Sequence, residues 1–318
     1  MWLYIGKRLL ICPLILWIIY TITFLMAIAI PGNPFKMGQR SLNPDLERAV
    51  LAQYHADDNW LFYREYLSHL CQPIKAIRGE GPLIDLGPSW QYRDWNCNQI
   101  IGSALPVSVA LGLMAVFLAV VVGVTVGVIS AVKKGSWFDY SSLGLVLVGV
   151  SLPSFVIGTA LLILFTVKFT LLPVGGWGRF SQLGLPVITL SLPFMAYIAR
   201  LARLGMLDVI DSDYIRTARA KGLSSGQVII RHGLKNAFLP VLSYLGPAAA
   251  AALTGSFVVE SIFDIPGLGR HFVAGVLNRD RTLILGTVLV YSAVIILFNL
   301  MVDITYTIVD PRIDLEKQ

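Results

Sequence analysis

The feature that most constrains the fold is a series of six apolar runs, each close to the roughly 20 residues that a helix needs to cross a bilayer. Of the 318 residues, 56% are hydrophobic and only 14% are charged, whereas a soluble domain carries about 25% charged residues. The pattern therefore predicts an all-α, polytopic membrane protein with six transmembrane helices. The predicted spans are Leu9–Ile30, Leu105–Val132, Ser141–Val167, Leu185–Met206, Leu239–Val259 and Leu283–Ile308.

These runs divide the chain into three parts: a first transmembrane helix (1–30), an insertion (31–99) and a five-helix core (100–318). In the insertion, Ser41 and the acidic residues that follow it predict the start of one helix. The mixed apolar and charged pattern of Trp60–Leu70 predicts a second, amphipathic helix. We therefore expect the insertion to be helical.

The first span can also be interpreted as a signal peptide. Lys7 and Arg8 form a positive segment before it, and Ala27–Ala29 resembles a cleavage site. The apolar stretch between them is longer than the usual signal-peptide core of roughly 7–15 residues. This length favours an uncleaved first span.

Lys and Arg are distributed unevenly between the short loops. If the N-terminus is inside, the short loops on that side hold most of them, including Lys133, Lys134 and the basic segment 200–235. An excess of Lys and Arg marks the cytoplasmic side. We therefore predict that both termini are cytoplasmic and that residues 31–99 lie outside.

The net charge of +6 follows from this topology and does not indicate nucleic-acid binding, because the chain has no aromatic-basic platform or zinc-ligand spacing. It has no Gly-x4-Gly-Lys-Ser/Thr phosphate loop, so we predict no ATP site of that kind. It also has no Gly-x-Ser-x-Gly elbow and no His-Glu-x-x-His motif. We predict no catalytic residue, no metal site and no cofactor bound by this chain.

Cys71 and Cys97 both fall in the outside insertion. An oxidising compartment would permit a disulfide between them. Their spacing fixes no geometry, so a disulfide and two free thiols remain alternatives. Cys12, inside the first span, is interpreted as an inert apolar residue.

A basic segment between two apolar runs is the strongest functional signal. Asp211, Ser212 or Asp213 can cap a helix, and Gly222 can end it. A second helix is predicted over Ser225–Ala237. A helix with this much charge must lie at the membrane face. There it either contacts a soluble partner or rests on anionic lipid. The residue pattern favours the soluble partner.

Several short segments, each weak alone, occur in order along nearly the whole chain. They are Lys7-Arg8-Leu-Leu, Ile30-Pro-Gly-Asn-Pro34, Asp85-Leu-Gly-Pro-Ser89, Leu105-Pro-Val-Ser108, Ser151-Leu-Pro-Ser-Phe155, Leu172-Pro-Val-Gly-Gly-Trp177, the block Tyr214–Val241, Pro266-Gly-Leu-Gly269 and Asp303–Ile313. With this set the chain resembles the inner-membrane permease subunits of bacterial ABC importers, in the oligopeptide/dipeptide (Opp/Dpp) branch and its B-type subunits.

The resemblance implies a type I importer fold and a permease that translocates oligopeptides or dipeptides across the bacterial cytoplasmic (inner) membrane. It implies as partners a second, homologous permease, two ATP-binding subunits, an extracytoplasmic peptide-binding protein and the peptide itself, within a lipid bilayer and with no nucleic acid. ATP and Mg would bind the partner ATPases, so this chain would not itself be an enzyme.

The resemblance also implies that a cytoplasmic loop at about 207–238 couples the permease to the ATPases. The general importer motif is Glu-Ala-Ala-x3-Gly; Gly222 matches its glycine, whereas Arg216 stands in place of its Glu, and Pro240 comes later than that motif's proline. The predicted coupling residues are Asp213, Tyr214, Arg216, Thr217, Ala218, Arg219, Ala220, Lys221, Gly222 and Leu223.

Three further features lie in or near the spans. Glu260 ends the fifth span and is either near an outer gate, paired with an outer-loop Arg, or an interfacial carboxylate within reach of water. Gly123 and Gly127 form a small-x3-small pattern, which we expect to pack helices within the chain rather than between chains. Ser151–Phe155 is expected to break or kink the third span.

Other classes of protein remain as alternatives. An ion-coupled secondary transporter would show intramembrane carboxylates and inverted repeats, and the sequence has few of the former and no obvious repeat. A membrane scaffold would only anchor soluble partners. Within the importer branch, nickel or another small solute is an alternative to peptide, and the insertion would either dock a delivery protein, cover the pore mouth or form a simple packed cap.

Overall fold

The fold comes from a computed structural model, which describes residues 2–31, 58–70, 82–92 and 95–309. Within these ranges the chain is mainly helical, and an antiparallel bridge joins Pro88 and Asn96. The α-helices are Trp2–Ala29 (α1), Asn59–Leu70 (α2), Cys97–Val132 (α3), Trp137–Ser151 (α4), Ser154–Leu162 (α5), Phe180–Ile210 (α6), Asp213–Ala220 (α7), Ser225–Gln227 (α8), Leu234–Ala237 (α9), Leu239–Ile262 (α10), Leu268–Asn278 (α11) and Arg281–Val309 (α12). Two π-helices, Ile163–Lys168 and Val228–Gly233, extend α5 and α8.

The predicted spans are confirmed as helices. Five segments of the described chain, in α1, α3, α6, α10 and α12, are long and apolar enough to cross a membrane, and α4 with α5 and its π-helix makes a sixth if the bent pair is one span. α3 starts at Cys97 and α6 at Phe180, both before the apolar runs that predicted them. These helices continue beyond their apolar runs because polar residues at helix ends can remain in contact with water.

The third span is broken rather than merely kinked. α4 ends at Ser151, α5 begins at Ser154, and the pair is bent by 105°. Proline disfavours the helical conformation of the residue before it, and Leu152 is accordingly extended, with φ −89° and ψ 131°. The predicted disruption at Ser151–Phe155 is therefore confirmed as a change of helix direction.

The described residues form two compact units, one made of 108–266 and 297–309, the other of the described parts of 2–107 together with 267–296. In the first unit α3 packs closely on α6. A Cβ atom built on Gly123 or Gly127 would approach the carbonyl oxygens of Met195 and Ala199 to less than the 3.0 Å that real Cβ atoms essentially never cross. The small-x3-small pattern thus packs helices within the chain, as predicted.

We expect Gly127→Ala to lower the stability of the protein, because the added methyl group must push α3 away from α6. Overpacking of this kind costs about 1–3 kcal/mol. Gly144→Ala in α4 is the matched control, since nothing lies within 4 Å of its added Cβ. Heating the purified protein in detergent and measuring the monodisperse fraction would compare them, and equal stability would contradict the close contact.

The second unit has an aromatic core contributed by α1, α2, α12 and the loop that carries Trp90. The Tyr20 and Tyr66 rings stack with centroids 5.7 Å apart, and the Tyr20 hydroxyl donates to the Tyr63 carbonyl oxygen at 2.9 Å. Aromatic side chains contribute large buried areas to such cores. The core residues are Tyr20, Phe24, Phe62, Tyr66, Trp90, Leu285 and Leu289.

The helix predicted over Trp60–Leu70 of the insertion is confirmed as α2, whereas the helix predicted from Ser41 lies outside the described residues. Cys97 begins α3, and its side chain is fully buried. Cys71 lies outside the described residues, so a disulfide with Cys97 and two free thiols both stay open.

Asp280 fastens a loop of the insertion to the start of α12 in the same unit. Its carboxylate is fully buried and accepts hydrogen bonds from both sides of the contact. The Thr282 hydroxyl also lies 2.7 Å from the Pro88 carbonyl oxygen. The donors to the Asp280 carboxylate are the hydroxyls of Ser89 and Thr282 and the backbone N–H groups of Trp90, Gln91 and Leu283.

Candidate functional site

The basic segment forms a short, defined helix. α7 begins after Ser212, whose backbone is extended at φ −72° and ψ 151°; the Ser212 hydroxyl donates back to the Val209 carbonyl oxygen at 2.6 Å rather than capping α7. Gly222 follows the helix with φ +82°. Glycine adopts this left-handed conformation without a Cβ clash, which explains why α7 stops there.

α7 is held against the end of α6 by an apolar cluster that we call the anchor cluster. Ile215 and Ala218 contribute the buried face of α7 to it. The close approach of α6 to the following segment is possible because Gly205 has no side chain, since an added Cβ would lie 2.6 Å from the Ala237 carbonyl oxygen. The cluster consists of Ala131, Met206, Val209, Ile215, Ala218, Val228 and Ala237.

The opposite face of α7 is exposed and carries most of the predicted coupling residues. Ala218 is an exception, because it is buried in the anchor cluster, and Leu223 is half-buried against that cluster. These two residues therefore hold the helix in place and do not form its outer surface. The exposed predicted residues are Asp213, Tyr214, Arg216, Thr217, Arg219, Ala220, Lys221 and Gly222.

The exposed face has few fixed internal contacts. Arg216 lies 3.6 Å from Asp213, with the two side chains 70% and 99% exposed. A surface ion pair of this kind contributes at most about 1 kcal/mol. The guanidinium groups of this face are therefore available to a partner.

The second helix predicted for this loop is present in a modified form. Residues 225–237 are helical, but Val228–Gly233 is a π-helix between two short α-helical pieces. π-Helices are rare and occur often at functional sites. Asn236 Nδ2 donates to the Tyr214 hydroxyl at 2.9 Å, which ties this segment to α7.

Glu260, the predicted gate residue, is fully buried at the end of α10. The alternative of an interfacial carboxylate needs contact with water and does not describe it. A loop of the same unit packs on the end of α10, where the Gly176 N–H donates to the Phe263 carbonyl oxygen at 2.9 Å. A Cβ on Gly175 would collide with that carbonyl group. The gate role of Glu260 stays a prediction.

An ion pair that the sequence did not predict lies near the anchor cluster, between the buried Asp139 and the half-buried Arg203. Arg203 Nε donates to Asp139 Oδ1 at 2.7 Å, and Arg203 Nη2 donates to Oδ2 at 2.9 Å. The Ser130 hydroxyl and the Gly135 N–H donate to the same carboxylate. The charge of Arg203 placed it among the basic loop residues. The unused signal was Asp139, an acidic residue two positions before the predicted third span.

Within the part of the chain that the structure describes, no three His, Cys, Asp or Glu side chains come together to hold a metal ion.

In the second unit, burial, and then the nearby Arg270 charge, lower the pKa of His271 below its usual 6.5. His271 is therefore neutral near pH 7.

Relatives and solved structures agree with this architecture. The oligopeptide transport system permease protein OppB of Escherichia coli (strain K12) is 43% identical over 300 residues, 94% of each chain. The dipeptide transport system permease protein DppB of Bacillus subtilis (strain 168) is 38% identical over 315 residues, 99% of each chain.

An inward-facing crystal structure of the MetNI methionine ABC transporter contains a chain similar to this one, with a TM-score of 0.56 at 17% identity. The match covers 67% of this chain and 97% of that chain, and it shows a shared fold. The family described as binding-protein-dependent transport system inner membrane component matches residues 123–315. These residues include the broken third span, α7 and the anchor cluster. The chain thus belongs to the family of binding-protein-dependent transport system inner membrane components.

Proposed function

We propose that this chain is the permease subunit of an ABC importer that moves oligopeptides or dipeptides across the cytoplasmic membrane. The observation that carries the proposal is α7, a basic helix with an exposed outer face and an inner face locked to the end of a membrane-spanning helix. The names of the relatives OppB and DppB support peptide as the cargo.

In this proposal both termini and α7 face the cytoplasm, where two ATPase subunits hold ATP and Mg. A second, homologous permease completes the membrane part, and an extracytoplasmic binding protein delivers the peptide. ATP binding closes the ATPases, and α7 passes the movement to the spans so that the cavity opens to one side at a time. The buried Glu260 belongs to the outer gate.

Affinity purification of this chain from its native membrane, followed by mass spectrometry, tests the assembly. We expect a second permease and one or two ATPases to be recovered with it. Recovery of the chain alone, in a detergent that keeps other ABC complexes intact, would favour the secondary transporter or the scaffold.

A charge reversal on the exposed face of α7 tests the coupling surface. We expect Arg219→Glu to lower the recovery of ATPase and the uptake of peptide by about tenfold or more, because a wrong charge at an interface costs several kcal/mol. Lys168→Glu is the matched control, since Lys168 is an exposed basic residue at the end of the π-helix after α5, far along the chain from α7. Unchanged recovery and uptake with Arg219→Glu would contradict the coupling role of α7.

A further inference from the structure

α4 packs along α6, but few of its residues are fully buried. Its buried residues are Asp139, Ser142 and Gly149, while most other side chains of the helix are exposed. A cavity of about 480 Å³ lies between α4 and its neighbours, lined by aliphatic side chains that include Val126, Leu145 and Ala199. The fully buried residues of α4 therefore lie near its two ends.

At one end the fastening is the ion pair with Arg203. Asp139 is 2% and Arg203 17% exposed, and two parallel N–H···O bonds fix the orientation of the pair as well as its distance. The Ser142 hydroxyl donates to the Asp139 carbonyl oxygen at 2.8 Å and lies 3.0 Å from the Ser130 hydroxyl. The carboxylate, its arginine and these hydroxyls form one connected network between α3, α4 and α6.

At the other end the contact is only apolar. A Cβ on Gly149 would lie 3.0 Å from the Ala196 Cβ, so the two helices touch there through small groups. Such a contact has no directional bonds. The ion pair therefore supplies the directional bonds that orient α4 against α6.

The same helix that carries Arg203 leads directly to α7. From Arg203 to Ile210, the last residue of α6, is about two helical turns, or about 10 Å. Asp211 and Ser212 then connect to α7, and the anchor cluster packs α7 onto Met206 and Val209 of α6. A displacement of α7 is thus carried to Arg203 without a flexible loop between them.

We propose that Asp139 and Arg203 are positioning residues of the transport cycle, whose ion pair passes movement of α7 through α6 to the broken third span. This inference rests on the proposed function, because it needs a partner that moves α7. α4 continues from Asp139 to the Leu152–Pro153 break, where the span turns by 105°. A shift of α4 therefore changes the angle at that break.

A positioning role and a purely stabilising role predict different results for the substitution Arg203→Lys. Arg203→Lys keeps the positive charge and the long side chain but loses the planar fork that orients the carboxylate. If the pair only stabilises the fold, Arg203→Lys lowers transport and ATP hydrolysis together, in proportion to the loss of folded complex. If the pair transmits movement, Arg203→Lys keeps the rate of ATP hydrolysis and reduces peptide transport.

The test uses the complete complex in proteoliposomes, with uptake of a labelled peptide and ATP hydrolysis measured in the same vesicles. We expect Arg203→Lys to keep hydrolysis while peptide uptake falls about tenfold, the effect of losing one charge-assisted hydrogen bond from one step. The neutral pair Asp139→Asn with Arg203→Gln is expected to behave in the same way and leaves no isolated buried charge. Arg200→Lys, an exposed arginine one turn earlier on α6, is the control and is expected to match the unmodified complex.

An unchanged number of ATP molecules hydrolysed per peptide in both variants would overturn the inference. So would a parallel fall of hydrolysis and uptake that follows the loss of folded complex. Failure of the unmodified complex to take up peptide would instead refute the proposed function, and the two failures are thereby distinguished.

Discussion

Replacement of Asp280 by alanine is expected to produce one of the largest losses of stability in this protein. The Asp280 carboxylate is fully buried and accepts hydrogen bonds from two hydroxyls and three backbone N–H groups. A buried donor left without an acceptor costs about 1–3 kcal/mol. We therefore expect Asp280→Ala to lower the free energy of unfolding of this unit by about 3–5 kcal/mol, with part of the loss relieved by water entering the site.

Asp58→Ala provides the comparison, because Asp58 is also a helix-capping carboxylate in the same unit. It is exposed and accepts from the N–H groups of Trp60 and Leu61, each at 3.0 Å. Loss of such a cap costs about 1 kcal/mol. Thermal unfolding of the purified protein in detergent, followed by tryptophan fluorescence, would measure both. Similar losses for the two variants would show that Asp280 acts as a cap alone and does not fasten the insertion loop.

Gly175→Ala is the second change with a large expected effect. The added Cβ would overlap the carbonyl group of Phe263, and backbone atoms, unlike the end of a flexible side chain, cannot rotate out of the way. The loop must move, which breaks the 2.9 Å hydrogen bond from Gly176 N–H to the Phe263 carbonyl oxygen. That bond satisfies a carbonyl group at the end of α10 that has no partner within the helix.

We expect Gly175→Ala to cost about 3 kcal/mol, from overpacking together with one lost hydrogen bond. Gly184→Ala is the control, because nothing lies within 4 Å of the Cβ added to that helical glycine. Protease accessibility of the loop and thermal stability, measured on both variants, would test the prediction. If Gly175→Ala keeps the protease resistance and stability of the unmodified protein, the loop does not pack on Phe263 in this way.

The helices could be predicted from the sequence because each depends on a local pattern. Apolar runs of sufficient length gave the spans, Pro153 gave the break in the third span, and Gly222 gave the end of α7. These features need only neighbouring residues and the limits that proline and glycine place on the backbone. Even so, apolarity alone did not show which residues of α7 face inward, and Ala218, predicted as a coupling residue, is buried in the anchor cluster.

Contacts between residues far apart in the chain could not be predicted in this way. Asp139 and Arg203 are 64 residues apart, and their pairing depends on the rotation of two helices whose apolar faces the sequence does not distinguish. Asp280 stands before a helix and is recognisable as a cap, but its bonds to Ser89 and Trp90 require the insertion to fold back. Gly175 belongs to a conspicuous loop motif, yet only the position of Phe263 explains it.

The buried ion pair has a consequence for biosynthesis. The carboxylate of Asp139 leaves the ribosome 64 residues before the guanidinium of Arg203, which at about 5–20 residues per second corresponds to about 3–13 s. During that interval α4 carries a charge that no arginine neutralises, and burial of an unpaired charge is strongly unfavourable. We therefore expect the N-terminal end of α4 to stay in contact with water until α6 arrives, and the ion pair to close only then.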